Sequence, residues 1–361
     1  MVRMKTTRSF IFLMCPIMVL LFFFYSSGRL HLNSSLQKSR FDKQGFLLKL
    51  NRKLPLELQY KYGNLSKGEC KPGYTEARMT LIYPEFVKPA PMFLDPNFKR
   101  LSKISSYPPP FGLKTQVKER IIDYILAATK SYSLGPELDS LRCKRCIIVG
   151  NGGILSNKSL GSKIDQYDVV VRLNEAPVAG FEKDVGSKTT MRITYPEGAI
   201  QKSERYEKSS LFVLSAFKPM DFRWLLHMVK RDRLRYMDGF WKSVARVVPR
   251  EPQDMRILNP YFIQEASFRF IGFPHNNGLM GKGNIPTLGT VAITMALHNC
   301  DEVAVAGFGY DLNFLHAPLH YYEKLKMSAI KESWTHNIYK EKEFLRKLVK
   351  GGVIQDLTNG I

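Results

Sequence analysis

The sequence predicts an α/β domain, a mostly parallel sheet flanked by helices, carried behind an N-terminal transmembrane helix and a stem. Three observations predict it. Residues 147–149, 169–171, 211–214 and 303–305 are short, β-branched or apolar runs of the kind found in strands buried on both faces. Segments 116–132, 221–231, 261–271, 289–298 and 341–350 read as helices between and around them, and that alternation is the pattern of a parallel sheet. Residues 10–25 form an apolar run interrupted only by Cys15 and Pro16, which has no place in a soluble core.

That run spans roughly 24 Å as a helix, and the tolerable residues on either side lengthen it toward the ~27–30 Å of a thin secretory bilayer. Arg3, Lys5 and Arg8 precede it, whereas Arg29 is the only Lys or Arg within ten positions after it. The positive-inside rule then leaves the N-terminus in the cytosol and the remainder in the lumen. The expected division is a cytosolic tail 1–8, a signal-anchor helix 9–28, a stem 29–60 and one lumenal catalytic domain 61–361. A cleaved signal peptide is the competing reading, with Ser26 to Gly28 as its small-residue site.

A lumenal chain should carry glycan acceptors and oxidised cysteines. Asn33, Asn64 and Asn157 head N-x-S/T sequons. Cys70, Cys143, Cys146 and Cys300 follow the anchor, enough for two disulfides in three possible connectivities. Cys143 and Cys146 form one CxxC; no second CxxC or CxxH completes a zinc shell, which favours two cysteines paired elsewhere in the chain over a redox or metal motif. The net charge of +22 raises the question of nucleic acid, but the basic residues are dispersed, match no reader motif and lie in the wrong compartment. A solvated basic surface that steers an anionic substrate fits better.

Within the domain, Pro-rich segments at 88–91 and 107–110 frame irregular chain before the first helix. The sharpest feature follows: Cys146-Ile-Ile-Val-Gly-Asn-Gly-Gly, a buried strand running into a glycine turn whose amides could approach a phosphate or ribose. A plain tight turn is the alternative. As a dinucleotide fingerprint it fails, lacking the third glycine and an acidic residue after the next strand, which ends in Arg172-Leu173-Asn174. A second cluster, Pro286-Thr287-Leu288-Gly289-Thr290, opens a small-residue helix that Thr287 is placed to cap. It reads either as a packing face or as an anion-binding terminus. The strand after it ends in Gly307-Phe308-Gly309, at the carboxyl end where such sheets hold ligands. Two histidines in polar surroundings, His320 and His336, are acid/base candidates because imidazole titrates near neutrality. Each could instead hold a loop.

Taken together and in this order, these segments resemble the animal sialyltransferase family, glycosyltransferase family 29. Residues 143–190 look like its long sialylmotif and 286–309 like its short one; His320 to Glu323 resembles motif III, and His336 with Glu341 the very short H-x4-E motif. The resemblance implies a variant GT-A, Rossmann-like fold and a Golgi membrane enzyme of glycoprotein or glycolipid glycosylation that moves sialic acid from CMP-sialic acid to galactose-terminated glycans. It also implies that no cofactor or metal is needed. No D-x-D occurs in the chain, and a leaving group with one phosphate can be stabilised by an imidazolium and amide dipoles.

Position by position, Asn151, Gly152, Asn174, Thr287, Leu288, Gly289 and Gly309 match residues that contact CMP, and Tyr195 matches a tyrosine near the site. Gly152 and Leu288 depart from relatives that carry Ser and Thr there, so their contacts would run through backbone. His336 matches the general base and His320 the residue facing the leaving phosphate. Glu341, five residues from His336 and about 140° away on an ideal helix, is read as orienting or structural. The family pattern pairs Cys146 with Cys300 and leaves Cys70 with Cys143. Two other classes compete. A glycan-binding lectin on the same fold would not need both histidines, and a nucleotide-dependent oxidoreductase would need the missing acidic ribose ligand.

Overall fold

The computed structural model describes residues 70–114, 120–232, 239–275, 285–311, 313–331 and 335–361, all within one compact unit, Tyr60–Ile361. The apolar run at 10–25, the stem and the sequons Asn33 and Asn64 lie outside the described residues. Among the described residues no helix is long and apolar enough to cross a membrane.

Seven strands, β1 (Arg145–Val149), β2 (Val169–Leu173), β3 (Met191–Thr194), β4 (Leu211–Leu214), β5 (Met255–Ile257), β6 (Glu302–Ala306) and β7 (Ile354–Asp356), form one sheet in the order β5-β4-β3-β2-β1-β6-β7. Every neighbouring pair is parallel. The chain winds outward from β1 to β5 and then returns to β6 on the other side of β1. The strand order therefore reverses between β1 and β6, and the carboxyl ends of those two strands open the crevice where sheets of this kind bind ligands.

The main helices are α1 (Tyr74–Ile82), α2 (Pro96–Leu101), α3 (Ile121–Thr129), α4 (Pro219–Lys230), α5 (Tyr261–Gln264), α6 (Leu288–Asn299) and α7 (Ile338–Lys350). Strand periodicity divides the core between the two faces of the sheet. Cys146 and Ile148 of β1, with Val169 and Val171 of β2, join the larger cluster around α6, while Ile147, Val149 and Val170 join a smaller one with Leu155, Ile164 and Val185. α6 is buried all round from Leu288 to His298, which its run of small and apolar residues allows. A third cluster packs α3 and α4 against β4 and β5.

The four expected strands form where the apolar runs lie, three of them extended by one or two residues. β3, β5 and β7 were not anticipated, and two of them carry a buried arginine at their centre that breaks the apolar pattern. Arg192 is 2% exposed; its guanidinium donates to the carbonyls of Asn174 at 2.7 Å and Ala176 at 3.0 Å and pairs with Glu207. Arg256 of β5 donates to Ser131 Oγ at 2.7 Å and Ser133 O at 3.1 Å. A buried cation is tolerable only with its donors satisfied, and those partners are remote in sequence.

The helices match in place but not at every boundary. The segment 116–132 yields α3, which stops at Thr129 because Lys130 turns left-handed at φ 56°; residues 115–119 lie outside the description. The expected helix 261–271 is α-helical only to Gln264 and continues as a π-helix over Glu265–Ile271. α7 starts three residues early, at Ile338, because Asn337 caps it by accepting from Lys340 N at 3.1 Å.

Both disulfides follow the pairing that the resemblance implied. Cys70 joins Cys143 and Cys146 joins Cys300, so each cysteine of the CxxC pairs elsewhere. The second bridge ties β1 to the end of α6, just before β6. Cys146→Ala or Cys300→Ala opens a loop of 154 residues and is expected to cost roughly 4 to 5 kcal/mol by loop closure, seen as lost secretion of soluble protein or a lowered unfolding midpoint. Non-reducing peptide mapping that joins Cys143 to Cys146 would refute the pairing.

Candidate active site

The candidate residues converge on the carboxyl ends of β1, β2, β3 and β6. Asn151 follows β1, Asn174 follows β2, Tyr195 follows β3 and Gly309 follows β6. The two halves of the crevice touch backbone to backbone. Gly150 N–H donates to Ala306 O at 2.8 Å and Gly152 N–H to Gly307 O at 3.0 Å. A Cβ on Gly152 would lie 2.6 Å from Gly307 O, so no side chain fits there without backbone movement. Gly309 has φ +94°, with Gly360 O 1.8 Å from where its Cβ would be, a position open to glycine alone.

These contacts revise the phosphate cradle expected of the glycine turn. The amides of Gly150, Gly152 and Gly153 are committed to Ala306, Gly307 and Leu319 carbonyls respectively. What the turn offers instead is a side chain, since Asn151 Oδ1 is buried with no partner among the described residues. Buried amide oxygens are nearly always bonded, and an orphan at the switch point is a place for a ligand donor such as a ribose hydroxyl. Asn174 sits left-handed at φ 53°, a conformation its side chain tolerates better than most. Its N–H is fixed on Ile193 O at 3.0 Å and its carbonyl by Arg192 at 2.7 Å.

Thr287 caps α6, with Oγ1 accepting from Thr290 N at 3.3 Å. The anion at this terminus is the protein's own. Glu341 of α7 accepts from Thr287 N at 3.0 Å, Thr287 Oγ1 at 2.6 Å and Thr290 Oγ1 at 2.5 Å. The amides of Leu288 and Gly289, in the first turn, have no intrahelical acceptor. Leu288 turns its side chain into the main core, so any contact it makes is through backbone. Gly289 gives room to the Phe308 ring, whose Cε1 would be 2.7 Å from a Cβ there.

Burial pushes the Glu341 carboxyl above the ordinary range, against the pull of the His336 charge and the threonine donors. The 140° estimate for His336 and Glu341 supposed one helix; His336 instead lies just before the Asn337 cap of α7, so the estimate does not apply. His336 Nδ1 is 2.8 Å from Ile285 O. A carbonyl only accepts, so Nδ1 carries the hydrogen, and in the neutral ring Nε2 then presents its lone pair. His320 is held differently. It bridges Gly152 in antiparallel fashion, Tyr321 N–H donates to Asn151 O at 3.1 Å, and Nδ1 pairs with the Glu323 carboxylate. That carboxylate complements an imidazolium, whose Nε2 is a donor.

Tyr195 stands T-shaped against Phe217, centroids 5.7 Å apart, and burial followed by the charge of Glu197 pushes its phenol up to about 12. Lys218 Nζ spans the buried carboxylates of Glu197 at 2.7 Å and Asp221 at 2.9 Å, tying the Tyr195 loop to the start of α4. Sequence reasoning did not anticipate this clamp, whose members are unremarkable locally, nor the Ile285 carbonyl that sets the His336 tautomer. Asn157 is exposed, as a glycan acceptor must be. Among the described residues no group of three metal-ligating side chains comes together.

Residues 93–353 match glycosyltransferase family 29 (sialyltransferase). The chain is 61% identical, over 98% of both chains, to the mouse CMP-N-acetylneuraminate-beta-1,4-galactoside alpha-2,3-sialyltransferase, and 41% identical to the rat lactosylceramide alpha-2,3-sialyltransferase over 81% of this chain and 76% of that one. A crystal structure of a mammalian sialyltransferase superposes with a TM-score of 0.63 at 24% identity, covering 82% of this chain and 98% of that one, and so shares the fold. With four motif segments gathered at one switch point and a family match spanning most of the domain, this chain belongs to glycosyltransferase family 29, the sialyltransferases.

Proposed function

We propose that this enzyme transfers sialic acid from CMP-sialic acid to the 3-hydroxyl of terminal galactose on N-acetyllactosamine-type glycans, by a single displacement that inverts the anomeric carbon. The observation that carries the reading is the unlike wiring of the two histidines. The imidazole of His336, with Nδ1–H spent on Ile285 O, has Nε2 available to take the proton from the attacking hydroxyl. His320, backed by Glu323, supplies a donor to the departing phosphate. The relative at 61% identity acts, by its name, on β-1,4-galactosides, which supports that acceptor; glycoprotein and glycolipid carriers both present such a galactose. An acceptor panel with linkage analysis of the product tests this directly.

In the donor half, Asn151 and Asn174 hold the nucleoside, the first-turn amides at Leu288 and Gly289 with Gly309 line its other side, and Tyr195 stands beside the phosphate. Glu341 fixes Thr287 and the start of α6 and lends His336 a negative neighbour. The reaction needs no metal in this reading, because the single phosphate of CMP leaves against His320 and amide dipoles and the chain has no D-x-D. The sheet is read as a variant GT-A, Rossmann-like fold, supported by its strand reversal between β1 and β6. The protein is read as a type II Golgi membrane protein, supported by the charge asymmetry around residues 10–25 and by two disulfides, which persist in oxidising compartments.

Four outcomes are expected. His336→Ala should lower kcat by roughly 10²- to 10⁴-fold, the usual worth of a general base, and leave CMP inhibition nearly unchanged. His320→Ala should lower kcat and weaken CMP inhibition together; equal loss of CMP binding in both variants overturns the division of roles. Activity should survive EDTA, and a ten-fold loss restored by manganese would contradict metal independence. In sealed vesicles, residues from about 60 onward should resist external protease until detergent is added; their digestion without detergent would reverse the topology.

A further inference from the structure

One large aromatic side chain close to the candidate site is left open to solvent. Trp241 is 70% exposed, although an indole is among the side chains whose burial stabilises a fold most. Trp224 of α4, by contrast, is fully buried and donates its Nε1–H to Ala245 O at 2.8 Å. Contacts on both sides fix where Trp241 stands. Lys242 Nζ lies 5.6 Å from the centre of the indole and 3.3 Å from Oε1 of Glu175, the residue that follows Asn174 after β2. The ring of Phe240 lies 5.0 Å from Lys218 Nζ, the nitrogen that also holds Glu197 in the Tyr195 loop. Ser243 O accepts from Gln201 Nε2 at 2.9 Å, in the chain that leads from that loop to β4. Val244 and Ala245 are buried with α4 and β4.

Residues 240–243 therefore cross the loops that follow β2, β3 and β4, on the carboxyl side of the sheet where the candidate site lies. The backbone beneath the indole is held from several loops while the indole itself is bare. A single exposed aromatic is unremarkable on an ordinary surface. It is its place here, one ion pair away from the Asn174 turn, that gives it meaning. A rigid aromatic face loses little conformational entropy when a ligand covers it.

In the reaction proposed above, the nucleotide is held where the strand order reverses between β1 and β6, and Trp241 lies toward the other edge of the sheet, beyond Glu175. The donor is a compact molecule of fixed size, whereas the acceptor is a chain. Only its terminal galactose must reach the histidines, so the sugar linked behind that galactose has to pass out over the rim. A β-linked N-acetylhexosamine carries its polar groups around the edge of the ring and presents C–H surface on its faces, which suits a bare indole. Pairing of Lys242 with Glu175 leaves little net charge beside that indole, as a neutral sugar requires. We propose that Trp241 is an acceptor-binding residue, the platform on which the sugar next to the terminal galactose stacks, so that the enzyme reads its acceptor as at least a disaccharide.

The inference rests on the sialyl-transfer reading, and the test separates the two. In the full lumenal chain, Trp241→Ala should lower kcat/KM for the free disaccharide Galβ1,4GlcNAc by roughly 5- to 20-fold, mainly through KM, the scale of about 40–70 Å² of lost apolar contact. Transfer to methyl β-galactoside, which ends at the galactose, should change by less than about two-fold, since it never reaches the platform. The donor KM and inhibition by CMP should also stay within about two-fold of the parent, which reports that the variant is folded. Trp241→Phe, which keeps a smaller aromatic face, should lie between parent and Ala, and it carries the test should the Ala variant not fold. Equal losses with the two acceptors, a loss of donor or CMP affinity, or no loss at all would each overturn the assignment. A loss seen only with a galactosylated lipid in vesicles, and not with the free disaccharide, would mean that the indole meets a membrane and would overturn it too. A parent enzyme that transfers sialic acid to neither acceptor refutes the functional reading itself; a parent that transfers it, with the ratio between the two acceptors unchanged in Trp241→Ala, refutes only this inference.

Discussion

The site depends on one close approach, the contact of the β1 turn with the β6 turn at the place where the strand order reverses. Gly152 N–H reaches Gly307 O at 3.0 Å with no space for a Cβ between them, and the Cys146–Cys300 bridge joins the same two parts of the chain behind the sheet. Several of the candidate site residues are hung from that seam. Asn151 leaves one turn, Gly309 and Tyr310 leave the other, and His320 pairs with Gly152 across it. Glycine at these positions serves packing distance first. The amides that a nucleotide site might spend on phosphate are spent here on holding the two halves together.

A second constraint is the buried carboxylate of Glu341. A charge in that position is costly unless donors surround it, and Thr287 and Thr290 supply them from the first turn of α6. The helix terminus is thereby neutralised from within the chain. The same carboxylate fixes where α7 begins its course and so where His336 stands, with Ile285, next to the cap, taking the Nδ1 hydrogen. The start of α6 and His336 are thus parts of one hydrogen-bonded unit. A change at Glu341 should disturb both, unlike a change at either histidine.

Much of this was readable in the chain. The alternating apolar runs marked four strands because strands buried on both faces have no polar residue to hide, and the capping threonine and small-residue helix marked α6. The motif residues marked the site through their order. β3 and β5 escaped because Arg192 and Arg256 sit mid-strand, and their acceptors come from loops far along the chain. The π-helical end at Glu265–Ile271 escaped because a one-residue change of hydrogen-bond register leaves the apolar spacing nearly intact.

The sequence by itself determined the fold class and marked the candidate site residues, the two histidines among them, because period, composition and motif order are local properties. Only the tertiary structure decided what each group is free to do. Gly152's amide is occupied, Asn151 Oδ1 is not, and His336 must carry its hydrogen on Nδ1. Hydrogen-bond partners of this kind come from segments more than fifty residues away, and a donor's availability depends on those partners, which local sequence does not encode.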